Sequence, residues 1–216
     1  MELFILPQST KVQKVIPKNA FDEYTTSKQK KLFADKILRI TWLNKLAPNT
    51  VNLETKEVKE IQIFKIELKV KEEIKIILDI INKATVYHII FIVSFEEEIY
   101  LSTSAKHPHP ANENNAVIDW TFKTDWFSTN ENPYTLLLKK NLDAVYHDFC
   151  NQLSAKPNSI NESLQNLVQY SKQRDLLEKE IAQLKTKIKN CQQFNTQVEL
   201  NLVLNQKIDE LTQRIG

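Results

Sequence analysis

From Leu177 onward, apolar or seam positions recur at alternating steps of four and three, through Ile181, Leu184, Ile188, Cys191, Asn195, Val198 and Leu202. That spacing keeps one stripe of a helix turned toward a partner, as in a coiled coil. No Pro or Gly interrupts the chain between Pro157 and Gly216. The unbroken phase favours one long helix within residues 162–216. A helical hairpin is the alternative, because polar Asn190-Cys191-Gln192-Gln193 offers a place to turn. Leu177, Ile181, Leu184, Ile188, Val198 and Leu202 are the expected partner-binding positions, since such a stripe cannot be buried by its own helix.

The first 153 residues carry a different rhythm. Residues 10–37 read as helical with a break at Pro17. Leu38 to Trp42 reads as a strand that must turn before Pro48, and Glu60 to Val70 alternates with Phe64, Ile66 and Leu68 on one face and Lys65, Glu67 and Lys69 on the other. Ile76, Ile77, Ile80 and Ile81 have helical spacing. Val86 to Phe95 is a dense apolar strand expected at the centre of a sheet. Glu96-Glu97-Glu98 marks a hairpin turn into Ile99–Ser102, Ala105–Asn115 reads as a loop, Val117 to Phe122 as a last strand, and Asn141 to Leu153 as a helix. The expectation is an α+β fold: residues 1–153 form a mixed sheet of about five strands flanked by helices. A polar linker at 154–161 leads to a coiled-coil helix or helical hairpin at 162–216.

Composition narrows the function mainly by exclusion. Gly occurs once, at the last position, where average usage of about 7% would give roughly fifteen. Gly-rich phosphate loops, dinucleotide fingerprints and Gly-flanked nucleophile elbows therefore have no residues to build them. Turns fall to Asn, Asp and Pro. The net charge of +2 is spread evenly, so no strongly basic face is implied and nucleic acid is expected only within a complex. Two cysteines suit a reducing cytoplasm. The apolar runs Leu3–Leu6 and Ile89–Val93 are too short for a signal peptide or a membrane span, so a cytoplasmic protein with no membrane contact is expected.

The sharpest chemical candidate is Ile66-Glu67-Leu68-Lys69. On a strand, Glu67 and Lys69 share a face, where a carboxylate can hold Mg²⁺ and an ammonium can steady developing phosphate charge. The helix and buried strand that follow resemble the order in PD-(D/E)xK nucleases. Such enzymes also need an acid from a neighbouring strand, for which Glu54 and Asp35 are the nearest options. The simpler reading is an ion pair on a half-solvated strand face. His107, His109, His147 and Cys150 fit no standard zinc spacing, and no metal is expected. His88 reads as a hydrogen-bonded core histidine, and Trp120 and Trp126 as packing aromatics.

Several phrases together resemble a prokaryotic family of proteins of unknown function, the DUF family numbered 4391. They are Trp42-Leu43-Asn44-Lys45-Leu46-Ala47-Pro48, Glu60 to Lys69, Tyr87-His88-Ile89-Ile90-Phe91, Thr124-Asp125-Trp126, Asn141-Leu142-Asp143-Ala144-Val145-Tyr146 and Val198-Glu199-Leu200-Asn201. The resemblance implies a place beside DNA methyltransferases and helicases in bacterial defence loci. It brings no catalytic residues. The expected function is a non-catalytic adaptor subunit of a DNA-processing or anti-phage defence complex, binding a helicase, methyltransferase or nuclease through its tail, without a cofactor. A Mg²⁺-dependent nuclease using Glu67 and Lys69 is the alternative, and a homo-oligomeric scaffold the third reading.

Overall fold

The structure is a computed structural model that describes residues 3–154 and 163–215. It divides into two compact units, residues 1–160 and 161–216. Most of the expected polar linker, 155–161, lies outside the described residues.

The first unit is built on one seven-stranded mixed sheet. Its strands are β1 (Lys11–Ile16), β2 (Ile37–Leu46), β3 (Ile61–Leu68), β4 (His88–Phe95), β5 (Glu98–His109), β6 (Asn112–Lys123) and the short β7 (Phe127–Ser128). The first six lie side by side in chain order, and β7 pairs with β5. Each neighbouring pair is antiparallel except β3 and β4, which run parallel and are joined through helix α3 (Lys75–Lys83). α1 (Ser27–Lys36) precedes β2, the single turn α2 (Pro48–Val51) follows it, and α4 (Leu142–Leu153) closes the unit. The sheet has more strands than expected, yet the α+β class and the mixed sheet hold.

The alternation of β3 divides the core. Phe64, Ile66 and Leu68 point to one face, where they join Phe91 and Val93 of β4, Phe33 of α1, and Ile77 and Ile81 of α3. Here Ile77, Ile80 and Ile81 of α3 find the sheet they need, with Leu78 beside them, while Ile76 stays exposed. On the opposite face α4 lies over β5, and the Tyr146 hydroxyl bonds Thr103 at 2.8 Å and the Ser104 carbonyl at 2.7 Å. β4 is covered on both faces, as its unbroken apolar run requires.

Two elements differ from the sequence reading. Residues 11–16 are an edge strand, not a helix, because pairing with β2 satisfies the backbone of a segment with little apolar contrast. Residues 105–115 form the distal end of a long β5–β6 hairpin in place of a loop. The ladder tolerates Pro108 beside a register shift between Pro108 and His109, the usual setting for proline in a sheet.

The second unit holds α5 (Leu164–Asn190) and α6 (Phe194–Ile215). The chain leaves helix at Cys191–Gln193, so the tail is two helices where a single one was favoured. Among the described residues, no helix is long and apolar enough to cross a membrane.

Candidate functional site

Pairing register decides which side chains share the second face of the sheet. Lys65 stands opposite Ile92, Glu67 opposite Ser94, and Ser94 in turn opposite Ile99. These positions lie at the carboxyl ends of the parallel pair β3 and β4, the part of an open sheet where ligands characteristically bind. A cleft of about 730 Å³ opens there. Ile63, Ile92 and Ile99 form its floor, and Leu43 and Asn44 of β2 with Lys11 and Gln13 of β1 form one wall. The N-terminal residues Leu3–Ile5 and Asn132 border it as well, held together by the Asn132 amide donating to the Leu3 carbonyl at 3.2 Å. Glu96 and Glu97, in the β4–β5 turn, stand at the rim and are exposed.

Glu67 is committed to cations. Arg39 of β2 is its cross-strand partner and donates from both Nε and Nη2, the second bond at 3.1 Å. Lys65 Nζ lies 3.5 Å from Oε1. The Arg39 hydrogen bond holds the Glu67 carboxyl below its usual range. It outweighs the opposing effect of burial, and the charges of Lys65 and Arg39 add to it. A bidentate Arg–carboxylate pair is directional and strong for a surface interaction.

Lys69 is not brought to Glu67. β3 ends at Leu68, so the alternation stops one residue early, and the Lys69 ammonium donates instead to the Ala34 carbonyl in α1 at 2.7 Å. The lysine on Glu67's face is Lys65. Of the two acids considered as additional ligands, Glu54 forms a bridge to Asn141 and Asp35 lies in α1. Among the described residues, no three His, Cys, Asp or Glu side chains are grouped so as to hold a metal ion.

The remaining candidates have structural partners. His107 Nδ1 pairs with Asp119 at 2.8 Å, and His109 Nδ1 accepts the Ala111 N–H at 3.1 Å. The Cys150 thiol is fully buried in α4, and burial pushes its pKa far up, which makes it unreactive. His88 packs its ring 4.3 Å from that of Tyr146 at a tilt of 58°, a ring contact where a hydrogen bond was expected. Burial first, then the Lys106 cation, lower its pKa to about 4 against the pull of Asp143. Trp126 packs edge-on against Tyr100 at 4.8 Å.

The match of the whole chain to a family model decides the relationship that the short phrases suggested. The model described as Domain of unknown function (DUF4391) covers residues 4–211. The chain belongs to the DUF4391 family. No curated protein and no solved structure matches it.

The DUF4391 match extends through the sheet and both tail helices, so the tail belongs to the family's own architecture. Within the tail, α5 and α6 pack antiparallel. Gln197 reaches the Ile188 carbonyl at 3.3 Å near the turn, and Lys207 pairs with Glu180 at 3.1 Å farther along. On α5 the expected stripe is inward: Leu177 and Ile181 are buried, Leu184 and Ile188 half-buried. On α6 the half-buried positions are Thr196, Gln197, Leu200, Leu204, Lys207 and Leu211. Val198 and Leu202 stand outside that set, 44% and 61% exposed, alongside Phe194 at 74% and Ile208 at 37%. The two α6 positions assigned to partner binding are therefore open, and the four α5 positions are turned inward.

Proposed function

We propose that this protein is a non-catalytic adaptor that docks on a larger DNA-processing enzyme, a helicase, methyltransferase or nuclease, through the outer face of α6. The observation that carries the reading is the exposed line Phe194, Val198, Leu202 and Ile208. Phe194, Val198 and Leu202 recur at four-residue steps, about one turn each, the spacing by which an amphipathic helix anchors in a partner's apolar groove, and Ile208 follows six residues on. The inward set of α6 already meets α5, so the outer line is surplus to the hairpin's own packing. An exposed apolar row of this kind marks an interaction surface. A chain whose single glycine is its last residue argues in the same direction, since it leaves no Gly-rich nucleotide loop. The neighbourhood that the family resemblance implies supplies the class of partner.

Co-expression with the flanking genes tests this. A large DNA-processing enzyme should co-purify with the full chain and be lost both from a chain ending at Ser154 and from a Phe194→Ser, Val198→Ser, Leu202→Ser variant. Self-association lost in the same variants would favour the homo-oligomeric scaffold. Retention of the enzyme by both variants would remove the proposal.

A second reading, a Mg²⁺-dependent nuclease, draws on Glu67 and Lys65 sharing an open face beside the cleft, with α3 and buried β4 following in order. Both Glu67 oxygens now face cations, so the donor set does not fit a metal ion unless Arg39 withdraws. Metal-dependent DNA cleavage abolished by Glu67→Ala would favour this reading over the adaptor.

A further inference from the structure

The cleft at the carboxyl ends of β3 and β4 has the makings of a small-molecule site that docking through α6 does not use. Its floor residues Ile63, Ile92 and Ile99 are buried within the sheet yet border open volume. On the same face α4 contacts β5 and β6, leaving this part of the sheet to the cleft. Ser94 lines the cleft beside them. The residue is only 6% exposed. A serine on a cleft wall offers a hydroxyl that both donates and accepts, a place for a polar ligand atom.

Lys65 supplies the charge. Lys65 lines the cleft, its side chain is 38% exposed, and its ammonium meets Glu67 only at 3.5 Å. Arg39 already gives Glu67 two bonds, which leaves Lys65 donors for something else. Glu96 and Glu97 at the rim disfavour a second anionic group at the mouth. The volume of about 730 Å³ lies in the range of small-ligand pockets.

We infer that the cleft binds a small amphiphilic anion, with its head group between Lys65 and Ser94 and its hydrocarbon body on Ile63, Ile92 and Ile99. The site lies wholly within the first unit and does not depend on α6.

Calorimetric titration of the full chain with octanoate, octylamine and inorganic phosphate tests the inference, with circular dichroism confirming that each variant is folded. Octanoate should bind in preference to the other two. Lys65→Met should weaken it about tenfold or more, the loss expected for one charge-assisted contact, while Lys65→Arg should retain it. Ser94→Leu, which fills the floor, should abolish binding. The inference is overturned if octanoate does not bind at millimolar concentration, if octylamine or phosphate binds as tightly, or if neither Lys65→Met nor Ser94→Leu changes its affinity.

Discussion

Asp143, in the first turn of α4, accepts the backbone N–H of Val58 across a separation of 85 residues, at 3.1 Å. The same carboxylate takes the N–H groups of Lys56 at 2.8 Å and Glu57 at 2.9 Å. One side chain thus closes the connection between α2 and β3 onto the helix that covers β5. Burial alone would raise the Asp143 pKa, but the three backbone bonds outweigh it and hold the carboxyl below its ordinary value.

Replacing Asp143 by Ala should therefore cost about 1.5–3 kcal/mol, the range for hydrogen bonds to a charged group. Because the folded pKa is depressed, the contribution is present above the ordinary carboxylate range and is lost as pH falls through the folded value. Urea unfolding of the wild type and Asp143→Ala at pH 7 and pH 3 checks both points: the gap between the two proteins should narrow at pH 3.

His88 gives a second pH dependence in a separate window. Its pKa falls from 6.5 to about 4 on folding, so the unfolded chain takes up a proton first as pH drops. Stability is full above 6.5 and declines toward pH 4, with a slope of up to about 1.4 kcal/mol per pH unit for one proton. His88→Phe keeps a ring against Tyr146 and removes the titration. Its melting temperature should fall less than the wild type's between pH 7 and 5; parallel curves would count against the assignment.

Among the described residues, left-handed backbone is carried without glycine, at Gln13, Asn52, Glu96 and Lys140. Gln13 (φ 51°) sits where the β1–β2 register shifts, and Glu96 (φ 52°) begins the β4–β5 turn. A side chain at such a φ costs roughly 1–2 kcal/mol, part of which glycine gives back in unfolded-state entropy. Glu96→Gly should raise stability by about 0.5–1 kcal/mol, measured by thermal unfolding, with Gln13→Gly smaller or equal in effect.

These positions also explain what the sequence made legible. β3 and β4 were readable because one alternates and the other is apolar throughout, and burial on one or two faces leaves those patterns. β1 was not: Gln13, Lys14 and Val15 are all exposed on an edge strand, so no burial contrast betrays the strand. Glu67 stood out as a charge on an apolar strand. Its partner Arg39 and the cleft-lining Ser94 did not, because cross-strand contact depends on register, which one strand's sequence does not contain. Lys69 was assigned to Glu67's face on the premise that the strand ran one residue further.

The tail shows how a regular stripe can mislead. The four-three rhythm continues through Cys191 and Asn195 without a break, but the chain reverses there, and reversal resets which positions face inward. On α5 the rhythm and the packing coincide at Leu177 and Ile181; on α6 the inward set becomes Leu200, Leu204 and Leu211, and Val198 and Leu202 are left outside. Ile181→Asp should consequently cost about 2–5 kcal/mol, as for loss of a buried aliphatic side chain with a charge put in its place, and should open the hairpin to proteolysis. Leu202→Asp should change stability by no more than about 0.5 kcal/mol, because the position is already in water. Helical circular dichroism and limited proteolysis of both full-length variants separate the alternatives. If Leu202→Asp opens the hairpin as readily as Ile181→Asp, the outer face of α6 is structural, and the docking surface must be sought elsewhere on the molecule.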